Sequence, residues 1–107
     1  MKTSPRSQKI AGLVQEHLTR IIPLHLTPDE VGFLTVCAVE VSGDLKVVDI
    51  FVSSLGGPDT FIKKLNKKGK AIAAELQRRL DMRQTFILRF KIDKSVEHVA
   101  KMRKLME

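Results

Sequence analysis

Lys63, Lys64, Lys67, Lys68 and Lys70 recur three, four and seven residues apart, so on a helix several ammonium groups project from one side. Like charges at that spacing destabilise an isolated helix by roughly a few tenths of a kcal/mol per pair, and no row of acids four residues on relieves them. A solvated face is the ordinary account of a charge run. The net charge of +7 favours a polyanion instead, because each phosphate that a lysine neutralises releases counterions. Lysine is a point charge without base-reading geometry, so such a patch positions the protein on a phosphate backbone and carries little sequence information. Arg78, Arg79 and Arg83 extend the same basic side. Arg89 and Lys91 add cations to the outer face of a late strand, where long cationic side chains equally serve to keep edge strands apart.

Other chemistries find little support. His17, His25 and His98 lie far apart, Cys37 is single, and no CxxC or HExxH spacing exists, so no metal site is expected. Cys37 alternates with apolar residues and reads as a small buried hydrophobe. Ser53 and Ser54 precede Gly56 and Gly57, but the GxxxxGK pattern that wraps a phosphate is missing, and the segment reads as a turn. Glu40, Asp44 and Asp49 would need a cleft to act as an acid and base pair, which so small a chain hardly offers. They read as solvated groups, or as charges that repel RNA from the wrong face. The chain has no Trp or Tyr, and Phe33, Phe51, Phe61, Phe86 and Phe90 read as core rather than as base-stacking platforms. No catalytic residue and no cofactor are expected.

The chain has 107 residues, one cysteine and 43% hydrophobic residues, which fits one self-sufficient domain in a reducing cytoplasm. Its first residues are basic and polar and lack a signal-peptide core, and no apolar run is long enough to span a bilayer. A membrane span is therefore not expected, and the net charge leaves nucleic acid or an anionic membrane surface as the candidate partners. Charge is unevenly distributed: residues 27–57 carry −4 and residues 58–88 carry +5, which would orient the molecule on a polyanion.

The elements that must position these groups follow from periodicity. Ile10, Leu13, Val14, Leu18 and Ile21 predict a helix over 8–22, with Ser7 as N-cap and Pro23 as its stop. Alternation predicts a strand over 31–42, with Phe33, Thr35, Cys37, Val39 and Val41 on one face. A Ser42-Gly43-Asp44 turn leads to a second strand over 46–54, with Val48, Ile50 and Val52 inward. A helix over 60–82 is expected to break near residues 68–70, because Gly69 falls where a core residue is due. A third strand over 85–92 turns Phe86, Leu88, Phe90 and Ile92 inward and Ile87, Arg89 and Lys91 outward. Residues 1–7 are expected to be a flexible N-terminus, 8–94 the domain, and 95–107 a basic tail, docked as a helix or frayed. The order is an α+β plan with helices on one face of a three-stranded sheet.

This order and its residues resemble the ribosome-binding factor A family, bacterial assembly factors of the small ribosomal subunit. The similarity is most specific over 28–53, with Pro28, Gly32, Phe33, Thr35, Val36, Val39, Val41, Ser42, Asp44, Leu45, Val52 and Ser53 in the family's pattern. Arg6, Lys9, Ile10 and Ala11 match its N-terminal pattern of two bases before Ile-Ala. Glu75, Leu76, Arg78, Arg79, Leu80 and Arg83, then Leu88 and Phe90, match its last helix and strand. Departures are Glu30 where the family has a base, Lys68-Gly69-Lys70 in place of its small-x-Gly signature, and Phe86 where it has proline.

The resemblance implies a KH-like fold of the second type, with Gly69 at a helix kink. It also implies non-catalytic binding to the 16S rRNA of the maturing 30S subunit, in the cytoplasm and as a monomer, with Arg6 and Lys9 joining the basic surface and no DNA partner. No GxxG loop, the usual KH grip on single-stranded RNA, occurs in the chain. A basic module engaging an acidic protein, or a generic RNA-binding domain, is the rival reading.

Overall fold

The computed structural model describes residues 5–83 and 85–94, so the first four residues of the expected N-terminal segment and the expected tail lie outside the described residues. Helix α1 (Pro5–His25) starts earlier and ends later than its apolar period predicts. Proline needs no amide partner in a first turn, so Pro5 can open the helix, and Ser7 is a fully buried residue within it rather than its cap. Pro23 does not stop the helix. It removes one backbone bond from an exposed turn, while the Leu26 amide still donates to the Ile22 carbonyl at 3.0 Å and both side chains are buried. Val14, Leu18 and Ile21 form the stripe that α1 buries.

A one-turn helix α2 (Pro28–Val31) follows. Glu30 accepts hydrogen bonds from the Thr27 amide at 3.0 Å and the Thr27 hydroxyl at 3.2 Å, which closes the turn. The Thr27 amide, more than any other partner, holds the Glu30 carboxyl below its usual range. Gly32 then leads into the sheet at φ +70, and a Cβ there would overlap the Gly57 backbone nitrogen. A Cβ on Gly57 would in turn lie 2.7 Å from the Val31 carbonyl carbon. These two glycines let the entry to the first strand and the exit from the second touch through backbone alone.

The sheet contains β1 (Phe33–Val41), β2 (Val47–Leu55) and β3 (Ile87–Ile92) in spatial order β1-β2-β3. β1 and β2 form an antiparallel hairpin, and β3 returns parallel to β2 after the helical crossover. Asp44 organises the turn, accepting from the Ser42 hydroxyl at 2.6 Å and the Lys46 amide at 3.1 Å. A bulge between Val36 and Ala38 shifts the register of β1. Before it Leu34 and Val36 pack against the core, and after it Val39 and Val41 do. The uniform face expected from alternation is therefore wrong. Phe33, expected in the core, is 73% exposed opposite Leu55, and Cys37 is half-buried at the bulge, 3.6 Å from the Ser53 hydroxyl. Ile92, expected inward, is partly exposed.

The crossover consists of α3 (Phe61–Lys67) and α4 (Gly69–Leu80), which meet at Lys68, where φ −91 and ψ 4 leave the helical region. Gly69 is the first, buried residue of α4, and a Cβ there would make ordinary contact with the Leu88 carbonyl at 3.7 Å. Helices α1, α3 and α4 cover one face of the sheet, enclosing Val48, Ile50, Val52, Leu65, Ile72 and Leu76 with no exposure at all. Among the described residues no helix covers the other face.

Candidate nucleic-acid interface

Phe61 and Leu65 anchor α3 inward, and Ile72, Ala73 and Leu76 anchor α4. Most of the lysines between those anchors face solvent. Lys63 and Lys67 are exposed on α3, Lys64 is half-buried, Lys68 is exposed at the junction and Lys70 is exposed in the first turn of α4. The five straddle the break and form a ridge. Among the described residues, no carboxylate lies within ion-pair distance of any of them. Glu30 feels the positive fields of Lys64 and Lys68, because α2 packs against α3.

Asn66 fixes this ridge to the sheet. Its side-chain nitrogen donates to the Phe90 carbonyl at 3.2 Å and its side-chain oxygen accepts from the Phe90 amide at 2.9 Å. β3 is an edge strand, so Asn66 satisfies two backbone groups that no further strand meets. The periodic pattern gives no signal for this residue, since Asn66 looks like one more polar position on a helix.

The arginines divide. Arg78 is 77% exposed and only 4.0 Å from Glu75 at its nearest, while Arg83 is exposed. Arg79 instead donates to Glu75 at 2.9 and 3.1 Å, and His25 meets the other oxygen of that carboxylate at 3.2 Å. Burial disfavours the Glu75 anion, but the His25 hydrogen bond and the Arg79 pair outweigh it and hold its carboxyl below the usual range. Arg79 thus has a partner on its own helix, while His25, on the same carboxylate, ties α4 to the end of α1. Arg6 and Lys9 are exposed on the first turns of α1, which packs on β1 and α4.

On the open face Arg89 and Lys91 converge on one acid. Arg89 grips Asp49 with two hydrogen bonds of 2.6 and 3.0 Å, and the Lys91 ammonium lies 3.5 Å from the same carboxylate and 5.9 Å from the Phe51 ring centre. Asp49, expected as a solvated repulsive acid, is buried and neutralised. The Arg89 hydrogen bonds lower its pKa against the opposing effect of burial, and they raise that of Arg89 in return. Asp49 stands opposite Arg89 in the parallel register, a contact forty residues apart in sequence. Among the described residues, no group of three or more His, Cys, Asp or Glu side chains is placed to hold a metal ion, and no helix is long and apolar enough to cross a membrane.

A three-stranded mixed sheet, helices on one face, a crossover helix split in two and exposed lysines at the split define a small KH-like α+β protein with a basic surface. The family profile described as ribosome-binding factor A matches residues 6–106. A ribosome-binding factor A from Polynucleobacter necessarius is 34% identical, over 99% of this chain and 88% of its own length. One from Macrococcus caseolyticus is 33% identical, over 96% and 93%. The chain belongs to the ribosome-binding factor A family.

Solved structures agree on the fold. The crystal structure of ribosome-binding factor A from Thermus thermophilus superposes with a TM-score of 0.70 at 24% identity, covering 80% of this chain and 94% of that one. A Thermus thermophilus homology model of the factor, fitted into a cryo-EM map of its 30S complex, superposes with a TM-score of 0.60 at 24% identity, covering 77% and 93%.

Proposed function

We propose that this protein is a non-catalytic ribosome-binding factor that assists late maturation of the 30S subunit and processing of 16S rRNA. Residues 8–94 are the ribosome-binding domain. The ridge of Lys63, Lys64, Lys67, Lys68 and Lys70 docks on rRNA phosphates, with Arg78 and Arg83 flanking it and Arg6 and Lys9 contributing a second basic edge. Arg79 acts chiefly by holding Glu75 and belongs to the surface only through its exposed rim. The observation that carries this reading is five clustered lysines that, among the described residues, have no carboxylate within ion-pair distance, on a chain of this family. A cluster of like charges that repels itself is stabilised when polyanion phosphates surround it.

Action is stoichiometric: by binding a precursor particle more tightly than the mature one, the factor favours one rRNA arrangement, and the shift equals its differential affinity. It works as a cytoplasmic monomer that needs no cofactor and engages neither DNA nor membrane. Co-sedimentation with mature and precursor small subunits over a salt series tests this. Retention that is stronger on precursors and falls steeply with salt supports the reading. Equal retention by any RNA reduces the protein to a generic basic domain, and retention only by an acidic protein after nuclease treatment replaces the reading.

A further inference from the structure

The last turn of α3 carries charge that works against it. The helix has seven residues, fewer than the roughly 12–15 at which an isolated helix becomes stable in water, so tertiary contacts must keep it formed. Its apolar anchors are Phe61 and Leu65, and Lys67 and Lys68 lie beyond the second of them. Mutual repulsion of the lysines and the break at Lys68 both favour fraying of that turn.

The edge of β3 opposes the fraying. The Ile87 amide donates to the Lys46 carbonyl at 2.8 Å, so Ile87 faces β2 and alternation turns the backbone groups of Leu88 and Phe90 toward the outer edge. Asn66 takes both groups of Phe90, at 3.2 and 2.9 Å. Gly69 opens α4 beside the Leu88 carbonyl, where a Cβ would stand 3.7 Å away. Lys67 and Lys68 are thus suspended between two attachments, two residues apart on the same strand. Of these only Asn66 is directional. A primary amide offers a donor and an acceptor side by side, whereas an apolar anchor fixes no angle. Asn66 is exposed as a residue, yet its amide nitrogen and oxygen are both turned to the strand.

We propose that Asn66 is the positioning residue of the phosphate-binding ridge: pinning the last turn of α3 to the β3 edge, it presents Lys67, Lys68 and Lys70 in one fixed arrangement. This role rests on the function proposed above. Asn66 contributes no charge and acts through the lysines. Without the pin the same lysines are present, but they must be ordered at the moment of docking, which weakens binding while leaving the number of phosphate contacts unchanged.

Co-sedimentation of the full chain with precursor small subunits over a salt series tests the role by a double-mutant cycle. Asn66→Ala should weaken retention about tenfold at a temperature where its melt shows it folded, with the salt dependence of the wild type. In a Lys67→Gln/Lys68→Gln/Lys70→Gln background the same substitution should change retention by less than about twofold, whereas in an Arg6→Gln/Lys9→Gln background the full loss should persist. Hydrogen exchange at the Lys68 amide, which donates to the Lys64 and Leu65 carbonyls, should quicken in Asn66→Ala while that at Ile72 stays slow. Wild-type retention by folded Asn66→Ala would overturn the positioning role and leave the proposed function standing. An equal loss in the lysine-neutralised background would also overturn it, since Asn66 would then act on RNA directly. Failure of the wild type itself to be retained would overturn the proposed function, and the positioning role with it.

Discussion

Asp49 is sheltered from solvent beneath Arg89 and Lys91, and its carboxylate is tolerable there only because two cations and a bidentate grip replace its water. A carboxyl whose pKa is lowered by folding stabilises the native state above its unfolded value, roughly 4, and the contribution disappears as the pH falls through the native value. Asp49→Asn should therefore melt at a lower temperature than the wild type at pH 7, and the gap should narrow as the carboxylate is protonated in acid, below its unfolded value. Thermal melts across that range check it; a gap independent of pH would mean that the loss is steric. Asn66→Ala strands the Phe90 amide and carbonyl at the sheet edge and should cost about 1–3 kcal/mol, seen as faster hydrogen exchange at Phe90. Neither role was legible in the sequence, because nothing local marks which of several outward polar residues will meet a partner from another element. The lysine ridge was legible, since helical spacing alone gathers it.

The helices and strands were found by period, and their departures have local causes. Pro23 failed to end α1 because burial of Ile22 and Leu26 holds the last turn against the loss of one hydrogen bond. The inward face of β1 was misread because one extra residue at Cys37 reverses which side chains point in, and no composition signal announces a bulge. The two informative glycines also differ. Gly69 was singled out for the break, yet the chain leaves the helical region at Lys68, and a Cβ on Gly69 has room. Gly69→Ala should stay within about 1 kcal/mol of the wild type in denaturant titration. Gly32→Ala should lose about 2 kcal/mol or more, because it combines a left-handed φ with overlap onto the Gly57 backbone. Equal stabilities for the two variants would contradict this division.

At the scale of the molecule, the uneven charge seen in the sequence becomes an uneven surface. The basic block maps onto α3 and α4, while the acids of the middle block are largely absorbed: Asp49 into the Arg89 pair, Glu30 into the α2 turn and Asp44 into the hairpin turn. Among the described residues the lysine ridge meets no carboxylate within ion-pair distance, and rRNA phosphate is the partner we assign to it. The most direct test of this assignment is co-sedimentation of Lys67→Glu/Lys68→Glu/Lys70→Glu with precursor small subunits at low salt, beside a thermal melt of the same variant. Loss of retention is expected, with a melting curve as cooperative as that of the wild type. Retention equal to the wild type by that folded variant would contradict it.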